Sequence, residues 1–141
     1  MAEVLFQQHL LREGIAQGWH VESAGVWATD GAPATENARK MMLDRGLSLA
    51  HHKSQPISAE LMHAFDIILV MENRHQTELR RNFPEAANRV HLMTAMVGET
   101  RNVDDPVWGT EDYYRVTANE LDDLINRGFV RIQELVGCAP E

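Results

Sequence analysis

A chain of 141 residues is the size of one domain with a single core. Its 44% hydrophobic and 24% charged content is ordinary for a soluble globular protein. A net charge of -8 argues against binding a nucleic-acid backbone, which needs a basic face. No apolar run approaches the ~20 residues that span a bilayer, so no membrane partner is expected either.

The apolar rhythm is running by the second residue. Ala2, Leu5, Phe6, Leu10 and Leu11 share one face of a helix predicted over 2–16, which Gly14 or Gly18 can end. Residues 19–26 alternate briefly and run into a glycine, which suggests a short strand that Trp19 starts. A loop with Gly31 and Pro33 follows. Thr35 then caps a helix carrying Ala38, Met41, Met42 and Leu43, closed by Gly46. After a connector with Pro56, Ser58 caps a short helix over 59–65. The run DIILVME at 66–72 reads as a strand buried on both faces, as in a parallel sheet. A polar helix over 73–82 stops at Pro84, and a third strand is predicted over 89–97. From about Thr110 a long helix keeps its period through Tyr114, Ala118, Leu121, Leu124, Ile125, Phe129, Ile132 and Leu135. Strands alternating with helices predict a single three-layer α/β domain over 1–141, with helices on both faces of a parallel sheet.

The richest chemistry lies in NVDDPVWGTEDYY. Pro106 stiffens the loop and biases Asp105 toward an extended backbone. A carboxyl held there beside Trp108 and partly desolvated suits a general acid. Asp104, Asp105 and Pro106 also make a good turn before a helix, and residue physics alone favours the turn. Trp27 directly follows the predicted strand, at the C-terminal edge of the sheet where α/β ligands bind, so it either stacks on a planar group or packs in its loop. His51, His52, His75 and His91 show no metal-ligand spacing, and His52 reads as a loop-organising residue. No metal or cofactor is implied. Cys138 is the only cysteine, which rules out an internal disulfide framework. It lies in the tail with no basic neighbour following, so it reads as inert. Tyr113 and Tyr114 are candidates for phosphorylation, although core or rim packing is the simpler reading. Glu3 and Glu13, with no basic segment, do not form a secretory signal, so a cytoplasmic location is expected.

Taken in order, SAGVWATDGAPATENARKMMLDRGLSLAHHKSQPIS, FDIILVMENRHQTEL and DDPVWG resemble successive segments of the low-molecular-weight protein-tyrosine phosphatases, and MAEVLFQQHL resembles the first helix of that family. The resemblance covers essentially the whole chain. It implies phosphotyrosine monoester hydrolysis through a cysteinyl-phosphate. In that chemistry, a Cys-x5-Arg loop holds the phosphoryl group at a helix N-terminus, and a distal aspartate protonates the leaving group. Asp105 then takes the general-acid position, and Trp27 and Trp108 line the substrate cleft. Val107 departs from the pattern, where an aromatic is common.

By the same resemblance, Met1, Ala2 and Glu3 match the positions just after the phosphate loop. The central first strand, the nucleophile and the loop arginine are expected to be missing, so the chain as written is expected to be inactive. Phosphotyrosine protein or a small phosphomonoester is the expected partner once such a loop is restored. The family sheet has the order 2-1-3-4, so loss of strand 1 is expected to expose strand edges that destabilise the sheet or drive self-association. A non-catalytic pseudophosphatase that binds a partner protein is the alternative. An arsenate reductase on the same fold needs further redox cysteines, which one tail cysteine does not supply.

Overall fold

The computed structural model describes residues 1–26 and 28–137. Among them the order is α1 (Ala2–Arg12), α2 (Glu36–Asp44), α3 (Ala59–Ala64), β1 (Ile68–Val70), α4 (Asn73–Asn82), β2 (Val90–Leu92) and α5 (Glu111–Leu135). Single 3-10 segments, Pro84–Arg89 and Met93–Val97, flank β2. The chain divides into two compact units. The first joins Met1–Pro56 to Asp105–Ile125, and the second joins Ile57–Asp104 to the residues from Asn126 onward.

In the first unit the helices form where their end signals sit. Thr35 Oγ1 accepts from the Ala38 N–H at 3.3 Å and caps α2. At the other end Gly46 adopts φ 75°, a left-handed conformation that costs glycine little. There the Gly46 N–H reaches the Leu43 carbonyl at 2.9 Å and the Leu47 N–H reaches Met42 at 2.8 Å, which satisfies two otherwise orphaned carbonyls. Helix α1 ends the same way, through Gly14 to Leu11 and Ile15 to Leu10. The apolar stripes bury Leu5, Phe6 and Leu10 of α1, Met41 and Met42 of α2, and Leu124 and Ile125 of α5. Two expected core residues are not buried: Leu11 is 66% exposed and Leu43 65%. Each follows a buried neighbour (Leu10, Met42), and one residue of helix turns the side chain by about 100°, past the edge of the stripe.

The strand expected over 19–26 does not form. A strand exists only through ladder partners, and here Gly25 makes a lone parallel bridge to Pro56. Side chains and loop amides hold the segment instead. Gln55 Nε2 donates to the Ser23 carbonyl at 3.0 Å, and the Gly25 N–H donates to Gln55 O at 3.0 Å. Ser54 Oγ donates to Thr29 O and accepts from the Ala32 N–H. Trp19 packs without a strand, its ring centroid 6.0 Å from that of Phe6.

In the second unit β1 and β2 run parallel, with Ile68, Leu69 and Val70 opposite Val90, His91 and Leu92. Both are three-residue strands, shorter than the runs at 66–72 and 89–97 suggested. The predicted third strand breaks after Leu92 because the chain coils into the 3-10 segment Met93–Val97, where Thr94 Oγ1 donates to Arg101 O at 2.6 Å. Ile68 and Leu69 are only half-buried, so β1 is not covered on both faces as expected. Among the described residues β1 pairs with β2 alone. Val90, Leu92, Met93, Leu79 and Ile132 form the buried centre of this unit.

His91 sits half-buried on β2. Burial, and then repulsion from Arg80 and Arg131, holds its imidazole below the ordinary histidine range. The unfolded chain therefore binds this proton at a higher pH than the native one does. The stability tied to neutral His91 is complete above the ordinary histidine value and is lost as pH falls through the lowered native one. His91→Gln is expected to flatten this part of the acid limb, read as a smaller drop in melting temperature between about pH 7 and pH 5 than the unsubstituted chain shows.

Candidate functional site

The loop after Val103 is built to present a carboxylate. Asp105 Oδ1 accepts from the Val107 N–H at 3.0 Å, a local turn that aspartate favours. Pro106 is buried and fixes the backbone at the turn's start. The Gly109 N–H closes the turn onto Pro106 O at 2.7 Å. A Cβ at Gly109 would lie 2.6 Å from Tyr113 Cδ1, so only glycine lets the loop settle on the first turn of α5.

Asp105 and Asp104 are both exposed, and Trp108 is 95% exposed. The expected shielding of the Asp105 carboxyl by Trp108 is therefore not found: the turn points the indole into solvent instead of folding it over the acid. Val107 is 39% exposed. Trp27 and Cys138 lie outside the described residues.

The Met1 ammonium is drawn below its ordinary range by burial, while the carboxylates of Glu3 and Asp105 oppose that shift. Glu3 is the centre of a small polar cluster there. Its Oε2 accepts from Ser23 Oγ at 2.5 Å, and His52 Nδ1 lies 3.7 Å from the same oxygen. His52 thus stands beside the first turn of α1, and its own N–H donates to Leu49 O at 3.1 Å. The structure brings His52, Glu3 and Ser23 together, and Asp105 belongs to the same unit.

Sequence reasoning gave Glu3 and Ser23 no role, because no local pattern links residues 20 apart. The only cue was a short polar residue just ahead of Gly25. Of the two tyrosines, Tyr114 is 3% exposed and packs as core, while Tyr113 is 39% exposed on the rim. Among the described residues no group of three or more His, Cys, Asp or Glu side chains is arranged to hold a metal ion. No helix among them is long and apolar enough to cross a membrane.

The model of the family described as low molecular weight phosphotyrosine protein phosphatase matches residues 1–136, and the chain belongs to that family. A protein-arginine-phosphatase of Bacillus subtilis (strain 168) is 33% identical over 128 residues, covering 90% of this chain and 83% of that protein. A low molecular weight protein-tyrosine-phosphatase, Wzb of Salmonella typhi, is 33% identical over 102 residues, covering 72% of this chain and 68% of the relative. Among solved structures, the low molecular weight protein tyrosine phosphatase of T. tengcongensis superposes with a TM-score of 0.86 at 28% identity, covering 92% of this chain and 88% of that one. The three-layer α/β phosphatase fold expected from the sequence is therefore the fold of this chain, which is a low molecular weight protein phosphatase by family.

Ser23→Ala is expected to lower the unfolding free energy by about 1–2 kcal/mol, since it leaves the half-buried Glu3 carboxylate without its hydroxyl donor. Chemical denaturation of the variant beside the unsubstituted chain measures it.

Proposed function

We propose that these 141 residues form one phosphatase domain that carries the acid half of the family's chemistry, with Asp105 as general acid. In that role Asp105 gives its proton to the leaving atom as the bond to phosphorus breaks. The observation that carries this reading is the turn at 105–109. It holds Asp105 through the Val107 N–H and a buried proline, and leaves it exposed to a substrate. Trp108 and Trp27 would contact the substrate, and His52 would organise the first turn of α1.

Cys138 is the only thiol in these 141 residues, and no Cys-x5-Arg loop occurs among them. The nucleophile and the phosphate-holding arginine of the family mechanism are therefore not supplied by these residues, and on their own they hydrolyse no phosphomonoester. The reading places the protein in the cytoplasm, acting on phosphorylated protein.

Phosphotyrosine is the substrate that the family description supports. Phosphoarginine is the second reading, favoured by the arginine phosphatase, whose similarity runs over 90% of this chain against 72% for the tyrosine phosphatase. In either case the acid protonates the departing group, a phenolate oxygen or a guanidine nitrogen.

The 141-residue chain is expected to hydrolyse phenyl phosphate no faster than buffer. The same chain extended at its N-terminus by a hydrophobic strand and a Cys-x5-Arg-Ser-Pro loop is expected to gain turnover, which Asp105→Asn lowers about 10²–10⁴-fold. Turnover by the 141-residue chain that Asp105→Asn abolishes would sink the claim of inactivity. Turnover in the extended chain that is indifferent to Asp105→Asn would sink the assignment of the acid. Phosphotyrosine and phosphoarginine peptides, run side by side, separate the two substrates. No turnover in the extended chain, with tight binding of a phosphopeptide, is the outcome a pseudophosphatase gives.

Self-association belongs to the same proposal, supported by the pairing of β1 on one side only among the described residues. Sedimentation equilibrium is expected to give a mass above 16.0 kDa that rises with concentration; a strict monomer at all concentrations counts against it.

A further inference from the structure

We propose that Tyr114 is a positioning residue for Asp105, acting through a hydroxyl pair with Thr35 that ties the acid loop to the cap of α2. The proposal rests on the reading of Asp105 as the acid.

Tyr114 lies on the first turn of α5 and is buried, with its hydroxyl 3.1 Å from Thr35 Oγ1. That same Oγ1 accepts the Ala38 N–H, so one threonine hydroxyl serves both the helix cap and the tyrosine. A core phenylalanine would fill the same space, and the hydroxyl adds direction that packing does not require. Next to it, the Tyr113 ring lies against Gly109, the residue that closes the 106–109 turn. Glu111 on the same turn of α5 receives Lys40 Nζ of α2 at 2.5 Å. This ion pair is exposed, so it adds little fixity of its own.

The part-buried hydroxyl pair, anchored on the buried ring of Tyr114, is thus the directional link in a continuous path. It runs from the α2 cap to Tyr114, through the first turn of α5 to Tyr113, and from Gly109 back to the Asp105 turn. Without it the first turn of α5 keeps its apolar contacts but loses its fixed register against α2, and the loop it supports opens more often.

The test uses the 141-residue chain and needs no turnover. The Val107 amide donates to Asp105 Oδ1, so its chemical shift follows protonation of that carboxylate and reports the geometry of the turn. In Tyr114→Phe, hydrogen exchange at the Val107 and Gly109 amides is expected to quicken about fivefold, the ratio that corresponds to one lost hydrogen bond. The pH-dependent shift of the Val107 amide is expected to shrink at the same time. Thr35→Gly, which removes the hydroxyl while remaining an acceptable cap, is expected to do the same. Thr35→Asp, whose carboxylate can accept from both the Ala38 amide and the Tyr114 hydroxyl, is expected to restore both readouts.

Unchanged Val107 and Gly109 exchange with an unchanged pH-dependent shift, in either Tyr114→Phe or Thr35→Gly, would overturn the proposal and leave Tyr114 as core alone. These outcomes are separate from the turnover test of Asp105. The loop can loosen as expected in a chain whose acid is elsewhere, and the acid can be Asp105 in a chain whose loop ignores Tyr114.

Discussion

The start of α1 depends on one short hydrogen bond, from the Ser23 hydroxyl to the Glu3 carboxylate. A half-buried carboxylate is costly unless donors meet it. Ser23 meets it because its own backbone is held by Gln55, while the following loop is held by Ser54. The polar pair therefore joins the first turn of α1 to a loop system that has no ladder of its own. His52 stands at the same oxygen. Removing one hydroxyl would touch the site that the family resemblance points to.

Local signals made much of this architecture legible. Thr35, Ser58 and Gly46 mark helix ends by mechanisms confined to a few residues, and all three act as read. The long periodicity of α5 held from Tyr114 to Ile132 because seven turns of consistent spacing leave little ambiguity. Strand lengths were not legible in the same way. The runs at 66–72 and 89–97 have strand composition, but a strand ends where its partner ends, and partnership is not encoded locally. The segment at 19–26 failed for the same reason, since its alternation is present and its ladder is not.

The candidate site was legible in part. Asp105 stands out because proline follows it and a turn encloses it, and both are visible in six letters of sequence. The exposure of Trp108 was not legible. Whether an indole covers a neighbouring carboxyl depends on the direction in which the turn projects it. Here that direction follows from the 106–109 hydrogen bond and from the closeness of Gly109 to Tyr113. The pairing of Glu3 with Ser23, and of Thr35 with Tyr114, spans distances in sequence that no pattern reaches.

The division of the chain also sets an order of assembly. The pairing of β1 with β2 closes across α4 and the 3-10 segment after it, so the parallel ladder draws on one short stretch of chain and its loop-closure entropy is small. Both units are discontinuous, and the first has its halves farthest apart in sequence: its core needs Leu5 and Met42 from one end and Leu124 and Ile125 from the other. During synthesis that core cannot close until α5 has emerged, and the apolar faces of α1 and α2 stay open until then. The earliest-made part of the molecule thus waits for the last helix to be made, and the interval between the two is when the chain most needs protection from its own kind.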